Sequence, residues 1–560
     1  MYSRNVVLGT ILCAVSIGLA EAQSVDGTSA RRFYPDDPLW VDPEPVDVPP
    51  MKEWFLSKSY DVLQNTFGTE GADGPALNVN TLGEVPDSGW FTNRLGIHDM
   101  SIEEILRGPD TLEGPAPGVL LVTGRPWAGL TPKFTVRDSR GDTYVLKLDP
   151  VVIPELPSSV EIIGTKIFHA IGYWVPEDYL LELDPRQLRI AEGARFKTES
   201  GRMKRIEPAD VEHWLKPARR SERRTIRVVA SRYVPGEPVG EYRYHGTRPD
   251  DPNDIFPHER RRELRGLRVF CAWLNHDDAR SPNSIDSRVE VQGRHQVRHY
   301  FQDFGSLMGS GSTSPQQPRA GYEYVWAPGQ ILGRLFTFGL VIPDWSNVKY
   351  PSYPGVGNYE ADFFEPEKWK TEYPNPAFLR IDAADAFWAA RIAARFTDEV
   401  LGAVVKTGKL SDPKAEAYLL HVLRKRRDKV VRYWITRTNP LDEFRVTASD
   451  AGWELSFDNA AIRVGAARPG ATYSVGWSAL HNLEGREVIV RAPVSIPSPR
   501  AAVSQEAWGP LDDAGCRYSI ADIQTLHPAF LHWRAPVRVS LRMRDGKVDV
   551  VGIERPRAVD

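Results

Sequence analysis

The sequence predicts an α+β fold in which a domain of two lobes follows an extended strap and precedes a β-sandwich-like domain. Three features of the 560-residue chain support this prediction. Short strands joined by turns lead into a helix after residue 118, helical periodicity dominates residues 383–436, and short strands with turns fill the chain from about residue 439. A chain of this length normally forms two or three domains, and its hydrophobic fraction of 41% suffices for their cores.

The overall charge and the first residues bear on partners and location. A formal net charge of −4 gives no basic excess, which argues against a nucleic-acid partner. Residues 1–22 have the pattern of an export signal, with Arg4 before an apolar run and an Ala-x-Ala site ending at Ala22. We therefore expect cleavage after Ala22 and a periplasmic or extracellular protein. No later stretch approaches the roughly 20 apolar residues of a bilayer span, so no transmembrane segment is expected.

Residues 23–117 are predicted to form the strap. The stretch is rich in Pro, Asp and Gly, and five prolines between residues 38 and 50 prevent regular structure there. Helical patterns occur at residues 53–67 and 101–107. Such a segment normally wraps around a domain or links it to another.

Residues 118–235 are expected to form the small lobe. The predicted strands cover residues 119–122, 132–136 and 143–148. A helix follows with Ser158 as its N-cap, and Gly172 ends it. A Pro-Gly pair at residue 235 suits a hinge between lobes.

Residues 236–438 are expected to form the large lobe, so that the two-lobed domain covers residues 118–438. The predicted elements are a helix at about 258–274, a hairpin with strands at 289–291 and 297–301, and helices at 383–405 and 412–436. The Gly- and Ser-rich residues 309–314 are expected to be mobile. Residues 439–560 form the β-rich accessory domain.

The most informative pattern lies between residues 276 and 305. Protein kinases have a catalytic loop H-R-D-x-x-x-x-N, and a later D-F-G supplies a metal-binding carboxylate. Here residues 276–283 follow the pattern H-D-D-x-x-x-x-N, and D-F-G begins at Asp303. The spacing makes Asp278 the candidate base for a substrate hydroxyl, with Asp277 as a rival. Asn283 and Asp303 are candidate ligands of Mg²⁺ or Mn²⁺, because hard cations prefer oxygen donors.

Lys147 lies within an apolar strand, where a charged side chain needs a reason. Binding of nucleotide phosphates, with Glu161 as the ion-pair partner, would supply one. Glu161 has a second interpretation, because Ser158 and Glu161 together form an S-x-x-E capping box. Lys133 and the backbone of Gly129 are further candidates for phosphate contact, although the glycine spacing around Gly129 is incomplete.

These residues together resemble a known family. The sequence AGLTPKF at residues 128–134, followed by YVLK at residues 144–147, is similar to the glycine-x-x-Pro-Lys loop and lysine strand of HipA-like kinases. The passage from the acidic helix at residues 154–161 to a Val-Pro strand at residues 172–176 is also similar. Secreted CotH-type kinases are a looser resemblance. The likeness spans roughly residues 118–436 and implies a bilobal protein-kinase-like domain that binds ATP and a divalent metal.

Two features depart from the family pattern. The separation of 20 residues between Asn283 and Asp303 is longer than in ordinary protein kinases, which implies an extended hairpin. An export signal also directs the domain to where ATP is scarce. The expected function is an exported phosphotransferase acting on a protein or glycan hydroxyl. The alternatives are an inactive pseudokinase that serves as an envelope binding or assembly module, and transfer of AMP instead of phosphate.

Overall fold

The computed structural model describes residues 31–54, 56–68, 71–126, 131–198, 200–327, 336, 343–450 and 452–555. The protein is a mixed α/β molecule with several sheets. The expected signal at residues 1–22 and the candidate Gly129 lie outside the described residues. Within the described part of the chain, every helix is too short or too polar to cross a bilayer.

The strap runs in extended form over the rest of the molecule and contains two short helices, α1 (Lys58–Phe67) and α2 (Ile102–Arg107). Helix α1 begins five residues later than predicted, with Ser57 as its N-cap. Helix α2 lies within the predicted range and begins with a capping box of Ser101 and Glu104. The aromatic side chains of Trp90 and Phe91 are buried and anchor the strap in the main core.

A six-stranded sheet follows the strap, and we call it the first sheet. Its strands are β1 (Leu120–Gly124), β2 (Lys133–Arg137), β3 (Thr143–Leu148), β4 (Asp178–Leu183), β5 (Leu188–Ile190) and β8 (Ile226–Arg232). They are ordered β4-β8-β3-β2-β1-β5, and only the β1–β5 pair is parallel. One face packs on an insertion made of β6 (Arg195–Lys197), β7 (Met203–Arg205) and α4 (Pro208–Leu215).

Helix α3 (Leu156–Ile171) packs on the other face of the first sheet. All but one of its sixteen residues are buried. The helix begins before Ser158, whose Oγ donates a hydrogen bond to Asp149 Oδ2 at 2.7 Å. The predicted N-cap at Ser158 is therefore wrong. The predicted end is correct: Gly172 has φ 136°, and a Cβ there would lie 2.3 Å from Phe91.

The helical unit comprises residues 237–435. Its elements are β9 (Glu237–Gly240), α5 (Arg262–Leu274), β10 (Ser284–Val291), β11 (Arg294–Phe301), α6 (Pro376–Leu379), α7 (Ala383–Ala394), α8 (Asp398–Thr407) and α9 (Pro413–Ile435). Helix α5 starts later than predicted because residues 258–260 form a 3-10 turn. The predicted helix 383–405 is two helices, since Thr397 accepts from the amide of Val400 and begins a new one.

The hairpin and the segment after it differ from expectation in length and packing. Strands β10 and β11 pair over eight residues each, so the hairpin fills the whole interval between Asn283 and Asp303. Residues 309–314, expected to be mobile, are packed instead. Ser310 is fully buried, and Ser312 Oγ lies 3.0 Å from Ser306 Oγ.

The terminal β unit consists of two sheets that share a main core, and a smaller cluster that includes Phe33 and Tyr518 lies beside it. The three-stranded sheet contains β12 (Leu441–Ser449), β13 (Gly452–Asn459) and β16 (Arg500–Ala502). The strands of the five-stranded sheet are ordered β15 (Arg486–Ile496), β14 (Thr472–His481), β17 (Arg517–Leu526), β18 (Val537–Arg544) and β19 (Lys547–Glu554). A short helix, α10 (Ala460–Arg463), connects them. The two described cysteines, Cys271 and Cys516, are buried free thiols.

Candidate functional site

Lys147 is the centre of the candidate site. Alternation along β3 places Leu146 and Leu148 in the core beneath the sheet and directs Lys147 to the opposite face, toward α3. Its Nζ lies 2.8 Å from Glu161 Oε1 and 3.2 Å from Asp303 Oδ1. Burial alone would lower the pKa of Lys147, but the Glu161 and Asp303 carboxylates raise it above its ordinary value. The ammonium group therefore stays charged.

Glu161 is contributed by α3 and is only 3% exposed. Its Oε1 also accepts a hydrogen bond from the backbone amide of Phe304, at 3.2 Å. Burial raises the pKa of the Glu161 carboxyl, although Lys147 opposes this shift. Of the two interpretations of Glu161, the structure supports the ion pair with Lys147, because Glu161 does not cap its helix.

Asp303 follows β11 and takes a left-handed conformation with φ 67°. The next residue, Phe304, is buried and stacks on Phe168 of α3 at 4.9 Å. This packing fixes the chain direction just after Asp303 and turns its carboxylate toward Lys147. Burial opposes ionisation, yet Lys147 and Lys133 hold the pKa of Asp303 below its ordinary value.

The loop 276–283 places Asp278 and Asn283 in direct contact. Asn283 Nδ2 donates to the Asp278 backbone oxygen at 2.7 Å and to its Oδ2 at 2.8 Å. Arg280 Nε lies 2.7 Å from the other carboxylate oxygen. Burial raises the pKa of Asp278 to about 6, with Arg280 opposing the shift and Glu372 adding to it. Asp278 is therefore ionised at neutral pH.

The loop also adjoins Asp303. The backbone oxygen of Asn283 accepts from the amide of Gln302 at 3.2 Å, directly before Asp303. The ends of the long hairpin thus bring both candidate metal ligands to one place. The Asp303 charge in turn contributes to the raised pKa of Asp278.

Asp277 has different surroundings from Asp278. Its Oδ1 accepts from Gln316 Nε2 at 2.8 Å. Burial raises the pKa of Asp277 to about 8, and the charges of Asp278 and Glu372 add to the shift. A carboxyl group that holds its proton at neutral pH is a poor proton acceptor, so the surroundings favour Asp278 over Asp277 as a base.

The histidine of the loop motif is a core residue. His276 is fully buried, and its ring lies 5.3 Å from that of Phe301 and 6.2 Å from that of Phe304. Burial lowers the pKa of His276 to about 4, so the ring is neutral. The His276 ring packs against Phe301 and Phe304, which precede and follow Asp303, and thus supports both the start of the loop and the segment after Asp303.

Two candidates for phosphate contact remain from the sequence, Lys133 and Gly129. Lys133 of β2 pairs directly with Lys147 across the sheet, on the same face, and its charge acts on Asp303. Gly129 lies outside the described residues.

Sequence reasoning missed four residues that hold the loop. Arg280 lies within the motif and could have been singled out by its charge, but Glu372, Tyr373 and Asp61 gave no local signal. Arg280 pairs with Glu372, and Tyr373 donates its hydroxyl hydrogen bond to Asp61. Asp61 comes from the strap, and Glu372 and Tyr373 come from the chain before α6, so all three are far from the loop in sequence.

Comparison with known proteins adds little to the geometry. No family model matches the chain, and no curated protein matches it. One similar solved structure is that of a Helicobacter pylori proinflammatory kinase, CtkA, with 13% sequence identity and a TM-score of 0.28. The alignment covers 56% of this chain and 98% of that one.

Proposed function

We propose that the protein is an exported, ATP- and metal-dependent phosphotransferase of HipA-like type that acts on a protein or glycan hydroxyl. In this proposal the first sheet with α3 is the small lobe of a protein-kinase-like domain, and the helical unit is the large lobe. One observation carries it: Lys147 Nζ lies within 3.2 Å of carboxylates from both Glu161 and Asp303. Active protein kinases need this lysine–glutamate pair and the D-F-G aspartate in place together.

A purely structural role for the three charges is a weaker explanation. A buried ion pair gains little net stability, because removing both charges from water opposes their attraction. Here two carboxylates share one ammonium group, and a third buried carboxylate, Asp178, also acts on Lys147. An excess of buried negative charge is expected where a cation binds, since the cation would neutralise it.

The donor set fits a magnesium or manganese ion that is shared with phosphates. Among the described residues, no group of three or more His, Cys, Asp or Glu side chains is placed to hold a metal alone. Mg²⁺ typically takes one or two protein oxygens and completes its shell with phosphate and water. Asp303 supplies a carboxylate. Asn283 points its Nδ2 at Asp278, which leaves its amide oxygen for the metal. The bound metal would offset the charge of the transferred phosphate.

Asp278 would receive the proton of the acceptor hydroxyl. Its pKa of about 6 leaves it ionised at neutral pH and close to the range in which a general base works well. Lys147 and Lys133 would hold the phosphates of the nucleotide. The expected export signal would place this chemistry in the periplasm or outside the cell, with a nucleotide met during export or another phosphorylated donor.

One observation favours the alternative of a pseudokinase that binds but does not transfer. Both carboxylate oxygens of Asp278 are already engaged, Oδ1 by Arg280 and Oδ2 by Asn283. While Arg280 pairs with Oδ1, the acceptor hydroxyl must compete with the guanidinium for that oxygen. As a pseudokinase, the protein would act as an envelope binding or assembly module.

Turnover of ATP by the chain starting at Gln23 tests the proposal. We expect turnover with Mg²⁺ or Mn²⁺ and none after chelation. Asp278→Ala should lower kcat by about 10²-fold or more, and Lys147→Met and Asp303→Ala should abolish turnover. Asp99→Ala, at a fully exposed carboxylate, is the matched control and should leave turnover unchanged. Equal activity in all variants would remove the site assignment.

A thermal-shift measurement separates the two functions. ATP with Mg²⁺ at about 100 times its Kd should stabilise the protein by about 2.7 kcal/mol, and Asp303→Ala should lose this shift. A shift without turnover in the wild type would indicate the pseudokinase. Mass analysis of a modified substrate would distinguish transfer of phosphate from transfer of AMP.

A further inference from the structure

Asp61 is a buried carboxylate on helix α1, whose other described side chains are exposed or half-buried. It is 5% exposed, whereas Tyr60, Leu63 and Phe67 of the same helix are each more than half exposed. A buried charge needs hydrogen-bond partners, because the lost hydration must be replaced. The position of Asp61 is therefore explained by what it contacts.

The partners of Asp61 include one residue of the candidate catalytic loop. Ser281, which lies between Asp278 and Asn283, points its Oγ at Asp61 Oδ1 across 3.3 Å. Tyr373 donates its hydroxyl hydrogen bond to Asp61 Oδ2. The strap carboxylate thus joins the loop to the chain segment that runs beside it.

That segment, residues 372–375, holds the loop at two further points. The amide of Glu372 donates to the backbone oxygen of Asp277 at 2.8 Å, and Asn375 Nδ2 donates to that of Ala279 at 3.2 Å. Asp61 of the strap contacts both the loop, through Ser281, and this segment, through Tyr373. The loop is therefore held by two separate parts of the chain.

Helix α1 is itself fixed at both ends. Before it, the amide of Trp54 donates to the backbone oxygen of Val239 at 2.9 Å. After it, the amide of Ala72 donates to Glu259 Oε1 at 2.8 Å. A helix anchored on both sides can hold its carboxylate at a constant position against the loop.

We propose that Asp61 is a positioning residue of the site, and that the strap completes the catalytic loop by holding Ser281 and Tyr373. The inference rests on the proposed phosphotransferase function. Asp61 contacts neither nucleotide nor acceptor; it orients the loop that carries Asp278. Small displacements of such a loop are expected to lower kcat more than nucleotide affinity.

The test compares Asp61→Asn with the wild type. The asparagine side chain has the same size as that of aspartate. Its NH₂ group would face one of the two hydroxyl groups, those of Ser281 and Tyr373, that donate to the carboxylate. We expect kcat to fall about tenfold or more, while the KM for ATP changes by less than about twofold. Amide exchange in residues 276–283 should become faster. Tyr373→Phe, which removes one donor, should show a smaller change in the same direction and serves if Asp61→Asn fails to fold.

Asn78→Ala is the matched control. Asn78 is a buried strap residue like Asp61, but it contacts Arg262 and Glu263 of α5 instead of the loop. It should leave kcat per folded molecule unchanged. Equal losses of kcat in both variants, or an unchanged kcat in Asp61→Asn, would overturn the role of Asp61 and leave the proposed phosphotransferase function standing. Absence of turnover in the wild type would overturn the proposed function and this inference with it.

Discussion

Asp277 and Asp278 are adjacent in the chain and have the same side chain, yet their surroundings separate their chemistry. Asp277 accepts from Gln316, and burial raises its pKa to about 8. Asp278 forms an ion pair with Arg280 and accepts a hydrogen bond from Asn283, and burial raises its pKa to about 6. At neutral pH the first is mostly protonated and the second mostly ionised. The difference comes from the charged neighbours of each carboxyl group and decides which of the two can take up a proton.

Asp277→Asn should make stability less dependent on pH. The pKa of Asp277 is raised in the folded state from its ordinary 3.8 to about 8, so the folded protein binds this proton more tightly than the unfolded chain. The wild type therefore loses stability as the pH rises between those two values. We expect the variant to match the wild type near pH 4 and to be increasingly more stable up to about pH 8.

Thermal denaturation at about pH 5, 7 and 9 measures this difference. Turnover at neutral pH should stay within about twofold of the wild type, because the protonated Asp277 is not the base. Parallel pH profiles of stability in the two proteins would contradict the raised pKa. A loss of turnover as large as that of Asp278→Ala would restore Asp277 as the base.

At the scale of elements, the position of Asp303 depends on how closely α3 approaches the chain after β11. A Cβ added to Gly164 of α3 would lie 2.3 Å from Leu307 Cδ1 and 3.0 Å from Phe304 Cβ. A contact at 2.3 Å is not tolerated without movement. Helix α3 carries Glu161 on the same side, so this close approach contributes, with the stacking of Phe304 on Phe168, to the distance between the two carboxylates that share Lys147.

Gly164→Ala should disturb both stability and the site. Overpacking of this kind destabilises by about 1–3 kcal/mol, and the shift of Phe304 should draw Asp303 away from Lys147. We expect turnover to fall about tenfold or more. Chemical denaturation and ATP turnover measure the two effects.

Gly402→Ala in α8 is the matched control. The nearest atoms to a Cβ there are 3.9 Å away, so nothing must move. Alanine should stabilise this helix by up to about 1 kcal/mol, with unchanged turnover. Similar behaviour of the two variants would show that the approach of α3 does not determine the site.

At the scale of the whole molecule, the strap connects units that are distant in sequence. Arg32 pairs with Glu487 and Glu554 of the terminal β unit, and Trp54 pairs with Gly240 of the helical unit. Phe91 packs against Gly172 at the end of α3. The same strap thus contacts the terminal β unit, the helical unit and the helix that carries Glu161.

Phe33→Ala should weaken the attachment of the strap to the terminal β unit. Phe33 is 3% exposed, and its ring stacks on that of Tyr518 at 5.6 Å. Removing a buried aromatic ring costs about 3–5 kcal/mol. Thermal denaturation should show this loss, and limited proteolysis should cut the strap sooner. The neighbouring Tyr34 is 55% exposed, so Tyr34→Ala is the control and should change stability little.

Local features of the site were within reach of the sequence. The strand 143–148 has the predicted bounds, because its alternation and flanking turns are local signals. The loop and hairpin were also found from spacing, although the helix start at Leu156 was misplaced. The capping-box pattern predicted that the Ser158 side chain would cap the N-terminus of this helix, but Ser158 donates its hydrogen bond to the buried Asp149 instead. A distant acceptor thus overrode a local preference.

The sequence by itself determined the mixed α/β class and singled out the residues that we propose for phosphoryl transfer, since both depend on periodicity and short-range spacing. Only the tertiary structure decided that Glu161 pairs with Lys147 and that Asp61 reaches Ser281. Lys147 and Asp303 are 156 residues apart, and Asp61 and Ser281 are 220 apart. Chain spacing does not encode which distant side chains meet. Packing of α3 and of the strap against the helical unit brings them together.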